Sequence, residues 1–173
     1  MNIEIIEKKE MPSIETAVVI STWKMPFAIG RILRNINRFL HNNNIRPADA
    51  PYVRYLNLDW ESLEQQNARP CFLRCLFQKW DLRIGFPLEE KIEDGAVQGN
   101  EKISPSIFPR GKYLKTVHKG PYKKVSSVYT KMLKWAGEHN FQVLPESAEI
   151  YMNDPRTVKQ KDLETAVLIP VDE

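Results

Sequence analysis

Apolar residues recur along this chain at two spacings, every second residue and every third or fourth, and the switch between them marks out its elements. Ile3, Ile5 and Ile6 make a short apolar run that closes on Glu7-Lys8-Lys9-Glu10, a first short strand. Met11-Pro12-Ser13 reads as a turn. Residues 16–22 are β-branched and apolar and predict a strand. Met25-Pro26 opens a helix, because Pro is tolerated in a first turn. Ile29, Ile32, Leu33, Ile36, Phe39 and Leu40 form its single apolar stripe. Asn42-Asn43-Asn44 ends it, since Asn tolerates the left-handed cap conformation. Residues 52–58 predict the next strand. In residues 80–88, Trp80, Leu82, Ile84 and Phe86 point one way and Asp81, Arg83 and Gly85 the other, a strand that ends at Pro87.

The same succession follows again. Residues 59–79 read as an insertion, and residues 89–106, with Gly95, Gly99 and Pro105 among charges, as a hinge that holds a short strand. Phe108-Pro109-Arg110-Gly111 is a turn. Residues 112–118 alternate, with Tyr113, Lys115 and Val117 on one side and Leu114, Thr116 and His118 on the other. Gly120-Pro121 starts a helix to about His139, with Val125, Val128, Tyr129, Met132, Leu133 and Ala136 as its buried stripe. Residues 148–155 predict a strand that stops at Asn-Asp-Pro, and residues 164–171 the last. Pro12 corresponds to Pro109, Pro26-Phe27 to Pro121-Tyr122, Tyr55 to Tyr151 and Pro87 to Pro170. The expectation is a single α+β domain over residues 1–173. It would comprise pseudo-two-fold halves of about 1–90 and 91–173, each reading strand, strand, helix, strand, strand when the short leading strand is counted. Two mostly antiparallel sheets, two main helices and a cleft between the halves complete it.

Side chains alternate across a strand, so Glu149, Tyr151 and Asn153 share one face, and Ala148, Ile150 and Met152 the other. The second face is plain core. The first sets a carboxylate beside a phenol on a rigid element. Lining a cavity, that face could hold a cationic or hydrogen-bonding ligand; facing water, it would mean little.

Composition narrows the choice. The chain carries 25 basic and 22 acidic residues, a net +3, and these read as mixed along its length. That balance gives no expectation of direct DNA binding. No apolar run is long enough to span a membrane, and the N-terminus has no secretory pattern, so a cytoplasmic protein is expected. Cys71 and Cys75 lack C-x-x-C spacing and read as two partly buried thiols. With three histidines they form no metal-ligand pattern, and neither metal nor cofactor is expected. There is no G-x-S-x-G, phosphate-binding glycine loop or H-E-x-x-H.

Gly111-Lys112-Tyr113, His118-Lys119-Gly120-Pro121-Tyr122, Trp135, Glu149-Ile150-Tyr151-Met152-Asn153-Asp154-Pro155 and Ile169-Pro170-Val171, in this order, resemble the GyrI-like family. That superfamily includes effector-binding domains of AraC-type and multidrug-responsive regulators. The match covers about residues 108–171; the first half shares only its pattern and Gly85-Phe86-Pro87-Leu88. The resemblance implies a domain of duplicated β-α-β-β units whose central cleft binds small aromatic or cationic molecules, with an acidic residue projecting into it at the position of Glu149. It also implies a free-standing member without a DNA-binding head.

On that reading the candidate ligand-binding residues are Glu149, Tyr151, Tyr55, Trp80, Phe86, Tyr113 and Trp135. Tyr55 faces the same way as Val53, where no carboxylate stands, so one wall of the cleft would be charged and the other not. Trp80 and Phe86 could form the opposite wall, core packing being the commoner fate of such a stripe. Two further readings stay open. One is a hydrolase of cyclopropane-bearing DNA-alkylating toxins, with Glu149 and Tyr151 activating water. The other is a gyrase-inhibitor-like partner of a topoisomerase or regulator, docking through Lys119, Lys123, Lys124, Lys131 and Lys134. His118 reads as structural in the turn before the second helix, and His41 and His139 as helix-end cations.

Overall fold

The computed structural model describes residues 1–62, 78–92 and 102–172. Cys71, Cys75 and most of the predicted insertion and hinge lie outside the described residues. In chain order the elements are β1 (Glu4–Lys8), β2 (Met11–Ser21), α1 (Met25–Asn42), β3 (Tyr52–Tyr55), β4 (Lys79–Pro87), β5 (Ser104–Phe108), β6 (Gly111–Lys119), α2 (Ser126–Glu138), β7 (Ser147–Tyr151) and β8 (Glu164–Val171). A further helical turn occupies 60–62.

The strands form one antiparallel sheet, in the order β1-β6-β8-β7-β3-β4-β2-β5. The expectation of two sheets is therefore corrected. β3 pairs with β7, from Tyr52 against Ile150 to Tyr55 against Ser147, and joins the two sets of strands. Unjoined, those strands would each leave a row of buried backbone groups without partners.

Several boundaries differ from the pattern: β1 runs on to Lys8, α2 begins at Ser126 rather than at Gly120-Pro121, and three others have a visible cause. β2 begins at Met11, because Pro12 pairs with Ile107 and its carbonyl accepts from the Leu88 N–H at 2.7 Å, so the missing Pro N–H costs nothing there. β3 ends at Tyr55 rather than residue 58. β7 ends at Tyr151, where the Asn153 amide donates to the Asp162 carbonyl (2.9 Å) and accepts from the Glu164 N–H (3.1 Å), turning the chain. The end of α1 follows its Asn run: Asn43 Nδ2 donates to the Phe39 carbonyl and Asn44 takes a φ of 55°.

Both helices cover the same face of the sheet. Adjacent strands align Ile84, Val53, Glu149, Val167 and Thr116 in one lateral row. Ile32, Ile36 and Leu40 of α1 pack on Ile14, Val53, Leu82, Ile84 and Phe86. Val128, Met132 and Ala136 of α2 pack on Leu114, Val167, Ile169 and Val171. Fully burying a side chain such as Ile36 or Met132 contributes about 1.5–3 kcal/mol. The helices thus build separate cores, one on each side of the β3–β7 seam.

The opposite face is closed differently. Tyr52, Phe108, Tyr113, Ala148, Ala166 and Leu168 cluster there. Phe108 and Tyr113 come from distant positions in the strand order, yet their rings lie 6.2 Å apart. Lys8 Nζ sits 5.4 Å from the centre of the Phe108 ring, so the two edge strands meet at one corner. The sheet is curled, with the helices on its other face. No helix of the described residues is long and apolar enough to cross a membrane.

Candidate functional site

Glu149 stands on the seam, with Val53 directly across from it on β3 and Val167 on β8. It is 9% exposed, on the helix-covered face. Its neighbours are tyrosines. The Tyr129 hydroxyl, reaching down from α2, donates to Oε1 at 3.1 Å, and the Tyr151 hydroxyl donates to Oε2 at 3.2 Å. Tyr129 also shares a 3.0 Å hydrogen bond with Ser147 Oγ. Tyr55, opposite Ser147, brings a third phenol whose presence favours the charged carboxylate. The Tyr55 hydroxyl also lies 3.8 Å from Met25 Sδ at the start of α1. The site therefore draws on both helices and both seam strands.

Burial raises the Glu149 carboxyl above its ordinary value, while the neighbouring phenols of Tyr129, Tyr151 and Tyr55 favour its charged form and pull the other way. Burial, and then the Glu149 charge, hold all three phenols well above their ordinary value. They remain neutral donors at any ordinary pH.

Aromatic rings surround this group. Tyr122 packs edge-on against Tyr151 at 5.3 Å, Trp80 edge-on against Tyr55 at 5.9 Å, and Trp60 lies tilted 5.9 Å from Tyr129. Trp80 Nε1 donates to Thr22 Oγ1 at 2.7 Å, and Trp60 Nε1 to the Leu144 carbonyl at 2.8 Å, which fixes both indoles.

The structure brings Glu149, Tyr151, Tyr55 and Trp80 together. Phe86 lies in the core beneath α1. Tyr113 is on the opposite face, donating to the Pro109 carbonyl. Trp135 stacks on His139 and Phe141, away from the carboxylate. Tyr129, which as a sequence position reads only as helix core, supplies one of the donors. Its signal was its chemistry: a phenol on an apolar stripe needs a polar partner. Tyr122 stood in the Gly120-Pro121-Tyr122 turn, where His118 Nε2 meets the Pro121 carbonyl at 3.3 Å and Gly120 takes a φ of 131°.

A second buried glutamate gives the contrast that matters. Glu15 is 3% exposed and faces the other side of the sheet. Its carboxylate accepts from Tyr52 at 2.6 Å and stands 3.9 Å from Arg54, which also pairs with Glu146. Glu15 thus has its counter-cation within the fold. Among the described residues Glu149 has none: every donor to it is a neutral phenol. An open depression of about 510 Å³, between Pro12, Ser13, Lys91, Ile92 and Pro105–Ile107, lies apart from both carboxylates and offers no comparable chemistry. No group of His, Cys, Asp and Glu side chains among the described residues could hold a metal ion.

The profile of the GyrI-like small molecule binding domain matches residues 79–172. No curated protein matches in sequence. The fold is that of the EcmrR C-terminal domain (TM-score 0.71, 12% identity, covering 99% of this chain and 98% of that one). In the EcmrR–DNA complex the same likeness has a TM-score of 0.73 at 12% identity and covers 99% of this chain, but this chain spans only 57% of that protein. A hydrolase encoded by lin2189 from Listeria innocua is similar at TM-score 0.67 and 11% identity, over 98% of this chain and 91% of that one. SAV2435, bound to tetraphenylphosphonium in its structure, is similar at TM-score 0.60 and 9% identity, over 99% and 94%. With more than half its length matched by that profile, the chain belongs to the GyrI-like small molecule binding domain family.

Proposed function

We propose that this protein captures an amphipathic, aromatic and cationic small molecule at the seam between two pseudo-symmetric halves. The observation that carries this is the difference between its two buried glutamates. A buried carboxylate is stabilised by a cation and hydrogen bonds. Glu15 has both from the fold, whereas Glu149 has only phenols, and a ligand cation would supply what is missing. The rings of Tyr55, Tyr122, Trp80 and Trp60 offer faces and edges to an aromatic body, and the tyrosines offer cation–π attraction. Val53 across from Glu149 leaves one side of the seam apolar, which suits a molecule charged at one end. The palindromic strand order, with β7 and β3 at its centre, supports the pseudo-two-fold reading. The tetraphenylphosphonium bound to SAV2435 is the chemical class to try first.

The experiment is a fluorescence titration with tetraphenylphosphonium and a neutral aromatic of similar size, reading Trp80 and Trp60. Saturable quenching by the cation, weakened at least tenfold in Glu149→Gln, supports the proposal. Equal affinity of the two proteins for the cation overturns it.

A hydrolase is the second reading, favoured by the buried Glu149 with its raised pKa and by the likeness to the lin2189 hydrolase. A base must reach water and the reacting carbon. Here both carboxylate oxygens already accept from phenols, so one donor would have to give way. Mass spectrometry of an electrophilic alkylating compound after incubation decides: water added, dependent on Glu149, establishes hydrolysis, and unchanged compound removes it.

A further inference from the structure

The chain's positive charge is not spread evenly. Residues 16–48 contain Lys24, Arg31, Arg34, Arg38 and Arg46, together with His41, and no Asp or Glu. The rest of the chain carries 20 basic residues against 22 acidic ones, so the whole net charge of +3 originates in this one stretch. A whole-chain balance conceals it.

The fold turns that stretch into a line. α1 buries Ala28, Ile32, Ile36 and Leu40 and turns the other side outward. Lys24, Phe27, Arg31, Arg34, Arg38 and His41 follow one another at alternating steps of three and four residues, and all are exposed. At 3.6 residues per turn these positions fall within an arc of about 100°, and the row runs about 26 Å along the helix. None of the ion pairs among the described residues involves Lys24, Arg31, Arg34, Arg38 or Arg46. At the N-terminal end two large aromatics stand in solvent: Phe27 is 82% exposed and Trp23 52%, with Lys24 Nζ 4.8 Å from the Trp23 ring.

From this we infer that the outer face of α1 binds single-stranded nucleic acid, the phosphodiester backbone lying along the arginine row and bases stacking on Trp23 and Phe27. Guanidinium groups bind phosphate oxygens through paired N–H donors, and three in a row without competing carboxylates suit a chain of phosphates. Duplex DNA would use the charges but has no splayed bases to offer the aromatics; a single strand uses both. An anionic membrane is disfavoured because the apolar face of α1 is already buried in the protein core. The arginines lie on the outward side of α1; the aromatic end of the surface adjoins the tyrosine site, where Thr22 meets Trp80 and Met25 meets Tyr55.

The test is fluorescence anisotropy of labelled oligothymidylate, oligouridylate and a mixed-sequence duplex, each of about 20 nucleotides per strand. Sodium phosphatidylserine vesicles and polyglutamate serve as the competing chemistries. Single strands should bind, and their affinity should fall about 15–60-fold between about 50 and 200 mM salt, as release of ions from three or four phosphates requires. Replacing Arg31, Arg34 and Arg38 together by Gln should lower affinity about tenfold or more and flatten that salt dependence. Trp23→Ala with Phe27→Ala should weaken single strands about tenfold at unchanged salt dependence. All of these side chains are exposed, so the variants should keep the wild-type circular dichroism. Lys123, Lys124 and Lys131 to Gln, on and beside α2, removes equal charge and should leave binding within about twofold. DNA and RNA are told apart by the two homopolymers. The inference is overturned if the arginine variant binds as wild type or the lysine variant loses as much. It is equally overturned if duplex binds as tightly as single strands, or if vesicles or polyglutamate bind where oligonucleotides do not.

Discussion

Tyr129 and Glu149 belong to different elements, one on a helix and one on a strand 20 residues later, and their side chains meet at 3.1 Å in the middle of the sheet's covered face. The hydrogen bond ties α2 to the seam and holds one carboxylate oxygen in a fixed place. Tyr129→Phe removes a donor from a buried charged acceptor, which costs about 1.5–3 kcal/mol. It also takes away one influence that favours the charged form, so the Glu149 carboxyl should titrate at higher pH. Chemical denaturation gives the first quantity, and the pH midpoint of cation binding gives the second. An unchanged midpoint would mean that Tyr129 only packs.

Glu149 itself should show an inverted pH dependence. Its folded pKa lies above its unfolded value, because burial disfavours the charge. The folded state therefore holds the proton more tightly, and this group favours folding at low pH. That contribution is fully present below the unfolded carboxylate pKa, and is lost as pH rises through the folded one. Glu149→Gln stays neutral throughout. At neutral pH the variant should melt a few degrees higher, and the gap should close as pH falls into the ordinary carboxylate range. A gap that widens on acidification would contradict the burial argument.

The same proton competes with a cationic ligand. Affinity for tetraphenylphosphonium should fall as pH drops through the Glu149 pKa of the free protein, and binding should release protons. Calorimetry in two buffers of different ionisation enthalpy measures that release directly. A neutral aromatic should show no pH dependence over the same range.

On the far face of the sheet, Gly85 lies opposite Glu15 and Tyr52, and its lack of a side chain leaves room for their 2.6 Å hydrogen bond. A Cβ there would stand 2.3 Å from the Ile14 carbonyl oxygen and 2.7 Å from Glu15 Cγ. Gly85→Ala should therefore destabilise the fold by about 3 kcal/mol, at the upper end of overpacking effects. Tyr52→Phe leaves the Glu15 carboxylate with Arg54 alone and should cost about 2 kcal/mol. Because the two act on one cluster, the double variant should cost less than the two together. Full additivity would refute the shared cause.

Much of this was legible in the residues. β8 lies at residues 164–171 as its apolar run indicates, and α1 ends in its Asn run, because periodicity and cap chemistry are local. The shared face of Glu149 and Tyr151 follows from strand alternation, and their hydrogen bond realises it. What sequence could not give was lateral register. Nothing local says that β3 pairs with β7, yet that pairing merges the expected two sheets and puts Val53 across from Glu149. Nor does spacing say which way Tyr113 faces relative to a strand far away in the chain; it lies on the Tyr52 side with Phe108. Tyr129 escaped notice because helical periodicity assigns a phenol and a leucine the same address.

The seam has one more implication. β3 and β7 share a ladder of only four residue pairs, as short as those of β3–β4 and β7–β8, whereas β2–β4 and β6–β8 run much longer. The carboxylate is thus mounted among the shortest ladders of the sheet. A molecule seated there touches strands from both sides and acts as a clasp, so occupancy would be felt as stiffness: slower exchange of the amides of Val53–Tyr55 and Ser147–Glu149 with solvent, with little change of shape.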